Sequence, residues 1–386
     1  SVASVGTSLA GVGRSIMKNS DSTVPMPYCK KRGDGSFCLD DGVSDVYVEN
    51  DNELFVVLTT LQLYVLNYTD TEQWVQGSGE ITMFKRIIYG DLGRSEGWLF
   101  LTDNNNLYRF NKDDLSGYNV TKAPTSDFYF AIDSARKLGF TLGWETNYVY
   151  IWDLTQMQVI ANFSYYQGSF SNNKSNGEAN GWAMAVDSAR SILYVSSYEP
   201  SPLPNVIWQY SYADVNNVQL LNYVVIGPYW AFEEGFVSLY DGRAWFFEDY
   251  GGWAGGFGLA DLNWGKQWVV PIGTYVERLE YDQATNTGFF IASGTSDQSG
   301  QVFRTCLLET GPGATHEWAD WTSDGSSTDV YGSYWDAHAS ILYVIDSDAN
   351  VWAVTVGPTD CSQSSSASQL TSPLFWLYAQ LKQLLI

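Results

Sequence analysis

Short apolar runs, each cut by a polar turn that opens on aspartate, set the rhythm of this chain. Ala131-Ile-Asp-Ser-Ala-Arg-Lys-Leu-Gly-Phe140 is matched by Ala185-Val-Asp-Ser-Ala-Arg-Ser-Ile-Leu-Tyr194, by Glu280-Tyr-Asp-Gln-Ala-Thr-Asn-Thr-Gly-Phe289 and by Tyr334-Trp-Asp-Ala-His-Ala-Ser-Ile-Leu-Tyr343. In each, an apolar strand leads into the turn and a second leaves it. Weaker copies stand at Asn50-Asp-Asn-Glu-Leu-Phe-Val56, Tyr89-Gly-Asp-Leu-Gly-Arg-Ser-Glu-Gly-Trp-Leu99 and Tyr240-Asp-Gly-Arg-Ala-Trp-Phe246. The leading aspartates, Asp51, Asp91, Asp133, Asp187, Asp241, Asp282 and Asp336, recur every 40 to 54 residues. Aspartate suits the place because its carboxylate accepts from backbone NH groups of the turn, so all seven are read as structural.

A third strand follows each pair. It is placed at Leu61-Gln-Leu-Tyr-Val65, Asn106-Leu-Tyr-Arg-Phe110, Tyr148-Val-Tyr-Ile-Trp152, Val206-Ile-Trp-Gln-Tyr210, Val302-Phe-Arg-Thr-Cys306 and Val351-Trp-Ala-Val-Thr355. The fifth copy is poor, with its third strand around Phe257-Gly-Leu-Ala-Asp261. Fourth strands are expected at Gln158-Val-Ile-Ala161, Gln219-Leu-Leu-Asn222 and Gln267-Trp-Val-Val270. Four strands per repeat, seven times over, predict an all-β fold, a seven-bladed β-propeller with N- and C-terminal extensions. A double β-sandwich leaves the seven matched turns without a reason.

The Asp-x-x-x-x-Leu-Tyr-Val form at Asp187 to Val195 and Asp336 to Val344 resembles the repeats of the propeller superfamily with YVTN-type or NHL-type motifs. The resemblance covers about residues 43 to 357 and implies a fold rather than a chemistry. It divides the chain into an N-terminal arm (1–42), the propeller (43–357), and a Ser-rich linker with a C-terminal apolar helix (358–386). After Val356 the chain reads Gly-Pro-Thr-Asp-Cys, so the last blade needs an outer strand from elsewhere. The segment Val24 to Tyr28 is placed to supply it.

Charge removes one class of partner. The net −23, from 43 acids against 20 bases, repels a phosphate backbone and argues against nucleic acid. No apolar run reaches the roughly 18 residues of a membrane span. Four cysteines divide into a close pair, Cys29 and Cys38, and a distant pair, Cys306 and Cys361, without zinc-type spacing. Two disulfides are expected, and with the sequons at Asn67, Asn119, Asn162 and Asn173 they point to a secreted, extracellular glycoprotein. The close pair brackets Arg32-Gly33-Asp34, a tripeptide that integrin ligands display, although small hairpins of this kind are usually surface staples.

In a propeller, the innermost strands converge on a central channel. Near their starts stand Asp45, Asp127, Asn180, Glu234, Glu277 and Asp329, with Lys85 and Arg86 in the second repeat. Carboxylates and amides together form the hard-oxygen environment that calcium prefers, and lactonase-type propellers hold a metal in this region. A solvated polar rim is the alternative. Only two histidines, His316 and His338, are present, neither beside a nucleophile motif. The paired acids Glu233-Glu234 and Glu248-Asp249, read as regular strand residues, point to opposite faces. The Gly-rich stretch Gly251-Gly-Trp253-Ala-Gly-Gly256, read as a loop, would present a ring to a sugar.

The termini stand outside the repeat. Ser372-Pro373 reads as a helix start, followed by an apolar face of Leu374, Leu377, Tyr378, Leu381, Leu384 and Leu385. Such a face needs cover, from the ring, another subunit or lipid. The sequence as a whole predicts a secreted binding or structural subunit whose partners are other protein subunits engaged through the terminal arms, and glycans. The alternatives are a calcium-dependent hydrolase at the channel mouth and a carbohydrate-binding lectin.

Overall fold

The computed structural model describes residues 24–26, 29–31 and 37–38 and, between 43 and 355, the strands and many of the tight turns joining them; the rest lies outside the described residues. Among the described residues the strands form seven four-stranded antiparallel sheets and one two-stranded ladder. In chain order the larger sheets cover 43–76, 84–122, 128–164, 180–227, 232–269, 276–320 and 330–355, and are numbered one to seven here. In sheets one to six each strand pairs with its sequence neighbours. Sheet seven takes three strands from its own stretch and a fourth, Val24–Met26, that runs antiparallel to Val351–Thr355 with Val24 opposite Ala353.

The sheets stack side by side through their first strands. These are Val43–Glu49, Phe84–Ile88, Phe128–Asp133, Asn180–Asp187, Phe232–Ser238, Val276–Asp282 and Val330–Asp336. From sheet three to sheet seven each lies beside the next, that of sheet one lies beside that of sheet two, and that of sheet seven lies beside that of sheet one. Sheets two and three meet through Phe100, Leu107, Trp152, Leu154 and Met157. A sheet packed on both faces needs apolar residues at successive positions, which is why the second strands read as nearly unbroken apolar runs. All six residues of Leu138–Gly143 and of Thr287–Ala292 are buried.

Aromatic residues fill the spaces between sheets. Phe140, Trp208 and Tyr210 lie between sheets three and four, Tyr194 and Phe246 between four and five, Trp245 and Phe303 between five and six, and Phe289 and Trp352 between six and seven. Each such side chain, fully buried, contributes about 1.5–3 kcal/mol. Close approach also requires residues without a side chain: a Cβ at Gly139 would stand 2.8 Å from both Leu154 and Phe130.

The third strand of sheet five is Trp253–Gly258. The stretch expected to be a sugar-presenting loop is therefore largely strand, and the strand expected near Phe257–Asp261 begins four residues earlier. Glycine lowers strand preference, and pairing on both sides, with Arg243–Glu248 and Trp264–Val269, overrides it.

In three of the repeated turns the leading aspartate closes its own turn. Asp133 Oδ1 accepts from Arg136 N at 3.2 Å, Asp187 Oδ1 from Arg190 N at 3.1 Å, and Asp282 Oδ1 from Ala284 N at 2.9 Å. Four residues after its aspartate the chain turns left-handed, at Lys137 (φ 59°), Ser191 (58°) and Ser340 (55°). That conformation costs a residue with a Cβ about 1–2 kcal/mol. It brings the backbone round so that Leu154 N donates to Lys137 O and Tyr212 N donates to Ser191 O, both at 3.0 Å, each tying the third strand's exit to the turn. We predict that Lys137→Gly holds or raises the denaturant midpoint, whereas Lys137→Val, β-branched at positive φ, lowers stability by about 1–2 kcal/mol; equilibrium unfolding of the two variants checks this.

Candidate functional site

The first strands share an irregularity at their starts. In six of the seven the pairing with the second strand skips one residue: between Val43 and Asp45, Phe84 and Arg86, Gly181 and Ala183, Phe232 and Glu234, Val276 and Arg278, and Val330 and Gly332. Sheet three pairs without a skip. Such bulges bend the strand and re-aim a side chain, and they gather beside functional sites. The skipped residues are Ser44, Lys85, Trp182, Glu233, Glu277 and Tyr331.

This register sorts the expected channel-mouth residues. Asp45 and Glu234 occupy the same place in sheets one and five, the first paired residue past the skip, and Arg86 holds it in sheet two. Glu277 is itself a skipped residue, and Asn180 opens the first strand of sheet four. Asp127 and Asp329 lie outside the described residues.

Glu277 is the one whose side-chain partners are described. Its Oε1 accepts from Ser293 Oγ at 2.8 Å, and its Oε2 accepts from the backbone N–H of Val330. Its own carbonyl accepts from Arg278 Nη1 at 2.8 Å. The carboxylate thus joins the residue that follows the second strand of its own sheet to the start of sheet seven. Three residues on, Glu280 Oε1 accepts from Ser333 Oγ at 2.6 Å, a second bond between the same two sheets. Ser293 and Ser333 carry no sequence signal for this role, because serine in an apolar strand reads only as a small polar residue.

One of the turn aspartates bridges sheets in the same manner. Asp133, fully buried, uses Oδ2 to accept from Tyr212 Oη of sheet four at 2.7 Å, and the Arg136 guanidinium lies 5.6 Å from the Tyr212 ring centre. Between the same sheets Tyr210 Oη donates to Tyr165 O. Arg109 of sheet two donates through Nη1 to Leu154 O at 3.0 Å and to Thr155 O at 2.7 Å of sheet three. Burial lowers the pKa of Arg109 while the neighbouring Asp153 raises it, with a net fall. Among the described residues no group of three or more His, Cys, Asp or Glu side chains is gathered as a metal site.

Other expected sites are placed in part. Cys29 and Cys38 stand directly opposite each other in the two-stranded ladder, Cys29–Lys31 against Phe37–Cys38. Cys306 ends the third strand of sheet six, opposite Thr287. Asn119 and Asn162 are exposed on the fourth strands of sheets two and three, and Asn67 ends the third strand of sheet one. Arg32, Gly33, Asp34, Cys361, Asn173, His316, His338 and the segment carrying Leu374, Leu377, Tyr378, Leu381, Leu384 and Leu385 lie outside the described residues.

Two measurements probe these bridges. Glu277→Ala leaves the Val330 N–H and the Ser293 hydroxyl without this acceptor and is expected to lower stability by about 1–3 kcal/mol, with Glu277→Gln losing less, read by chemical denaturation. The hydroxyls of Tyr194, Tyr210, Tyr212 and Tyr343 have pKa values pushed up from the ordinary 10.0, chiefly by burial, and at Tyr212 also by its bond to Asp133. A folded pKa above the unfolded one contributes stability that is complete below about pH 10 and is lost as pH rises past it, at about 1.4 kcal/mol per pH unit for each group. Unfolding free energy is therefore expected to fall steeply above pH 10, and Tyr210→Phe to make that fall shallower by one proton.

No family model matches the chain, and no curated protein resembles it in sequence. Its structure is similar to solved propellers. Raptor from Chaetomium thermophilum superposes with a TM-score of 0.64 at 9% identity over 83% of this chain, which spans 28% of Raptor's length. The Cps50 (Swd1) β-propeller domain of Myceliophteria thermophila gives 0.63 at 7% identity, covering 82% of this chain and 97% of that domain. Virginiamycin B lyase from Staphylococcus aureus gives 0.59 at 10% identity, covering 87% of this chain and 99% of the lyase. At these identities the likeness is one of fold: this chain is built as a β-propeller.

Proposed function

We propose that this chain is a seven-bladed propeller that acts as a secreted binding or structural subunit. The observation that carries the reading is the engagement of Glu277: a carboxylate at the start of a first strand accepts from Ser293 and Val330 and so holds two sheets together. Glu280 and Asp133 serve the same end. A site built for hydrolysis keeps carboxylates available for a metal or a water. Here the described acids at sheet junctions already have protein donors.

Ring closure is supported by the contact of the first strands of sheets seven and one and by the pairing of Val24–Met26 with Val351–Thr355. A chain that locks its last blade with a segment from before its first makes opening the ring cost several backbone bonds at once. Secretion is supported by the direct opposition of Cys29 and Cys38, since such paired positions have Cα separations of about 4.5–5.5 Å, within disulfide range. Exposed sequons at Asn119 and Asn162 agree with it.

The competing reading is a calcium-dependent hydrolase. Asp45 and Glu234, at one register position in sheets one and five, favour it. Thermal melting with added calcium and with a chelator separates the two. A binding subunit is expected to melt at the same temperature in both, with no calcium retained by the purified protein. Retained calcium and a midpoint that falls several degrees on chelation would establish the metal site instead.

A further inference from the structure

Three sequons fall on described strands, and what stands across the ladder from each differs. Asn67 is opposite Leu54, and Asn119 is opposite Arg109. Asn162 is opposite Tyr150, and Ser164, the hydroxyl residue of the same sequon, is opposite Tyr148. Directly opposed residues of a ladder share one face of the sheet, so both polar members of this sequon lie alongside an aromatic ring.

The register brings Asn162 and Tyr150 close. Tyr165 N donates to Asn147 O at 3.0 Å, which marks Asn147 and Tyr165 as a hydrogen-bonded pair. Pair types alternate along an antiparallel ladder, so Tyr150 and Asn162, three steps on, form a non-hydrogen-bonded pair, in which Cα atoms stand about 4.5 Å apart and side chains are nearest. Asn162 is exposed, Tyr148 is 45% exposed and Tyr150 is half-buried, with the two ring centres 6.4 Å apart. Val149 and Ile151, which alternate with the tyrosines, are buried against sheet four. Trp152, next on the tyrosines' own face, is buried against sheet two. The two tyrosines are thus the exposed end of a row of rings whose other end is fixed in the core.

We infer that the sugar carried by Asn162 lies on the Tyr148–Tyr150 pair, so that this N-glycan is a packed part of the fold. The linkage joins Asn162 Nδ2 to C1 of an N-acetylglucosamine: the C1–O bond to a lipid diphosphate donor breaks, the diphosphate leaves with the electron pair, and Nδ2 gives up one proton. One face of the pyranose is lined by axial C–H groups, which carry partial positive charge and meet the negative face of a tyrosine ring while the hydroxyls stay in water. Tethering removes most of the cost of association, because the sugar cannot leave the neighbourhood of the rings. A contact too weak to hold a free sugar therefore suffices. The inference deepens the secreted reading and rests on it, since the donor belongs to the secretory route.

The test uses the full chain, secreted from cells that add N-glycans and trimmed enzymatically to the single N-acetylglucosamine next to the protein. Peptide mass spectrometry is expected to find that sugar on Asn162. Wild type is expected to melt about 1–2 °C above Asn162→Gln, the difference vanishing in a Tyr150→Leu background and surviving in Tyr150→Phe. Nitration of Tyr148 by tetranitromethane is expected to be slower in wild type than in Asn162→Gln, and unaltered by Asn119→Gln. Should Tyr150→Leu fail to fold, the nitration comparison decides, because it needs no change to either ring. Equal nitration rates, equal midpoints, or a difference that survives Tyr150→Leu overturns the inference and leaves the secreted reading standing. Sugar on Asn119 with Asn162 bare does the same, and a chain with Asn67, Asn119 and Asn162 all bare overturns both.

Discussion

Every sheet in this molecule depends on its neighbours for cover. Sheet three alone would expose Phe140 and Ile151 to water, and sheet four alone Trp208; each is buried where the two sheets pack together. The chain therefore folds as a series of mutual coverings, and the same demand explains its composition. Aromatic side chains, 16% of the sequence, are large enough to fill the space between twisted sheets without lengthening any strand. Glycines are required where rings come close, as at Gly139 beneath Phe130.

Apolar packing is non-directional, so it holds the sheets together without fixing their alignment. Carboxylates at the sheet junctions, buried at Asp133 and half-buried at Glu277 and Glu280, provide direction. Asp133 reaches Tyr212 across one junction, and Glu277 and Glu280 reach Val330 and Ser333 across another. Burying an ionised carboxylate is tolerable only when donors surround it, so these bridges specify register: a displaced sheet would leave the charge without its partners. This ties the repeat's turn chemistry to the geometry of the whole, because one aspartate both closes its own hairpin and receives the hydroxyl of the next sheet.

Much of this was legible in the sequence, for reasons that can be named. The spacing of the turn aspartates marks the sheets because an Asp-led turn is a local device, dependent on four or five residues. The third strand at Val351–Thr355 and the segment Val24–Met26 are apolar runs of strand length. The third strand of sheet five was obscured by its glycines, since partners on both sides supply what its own residues lack. The skipped residues near the first strands' starts leave no residue signature, as Ser44, Lys85, Trp182 and Tyr331 have nothing in common. That bears on the candidate site directly: the skip at Glu233 breaks the strict alternation by which Glu233 and Glu234 were assigned to opposite faces.

The acidity of the chain then has two separable consequences. Acids within the sheet junctions are fixed by donors and belong to the fold. Those on the outside keep copies of the chain apart, which is a form of protection that acts over roughly 8 Å at physiological salt. Protection of that range does little for a particular strand edge unless a charge stands on the edge itself, and among the described fourth strands Asn119–Lys122 and Trp264–Val269 carry a lysine, Glu317–Asp320 two acids, Val24–Met26 a proline and Gln158–Ser164 the Asn162 sequon, while Trp74–Gln76 has only three residues. The fourth strand of sheet four, Gln219–Gly227, carries no charge, but it is bulged at Leu221 and Ile226 and its Tyr223 N–H donates to Asn222 Oδ1 at 2.9 Å. Irregular backbone and a local side-chain acceptor thus do on that strand what charge and proline do on the others.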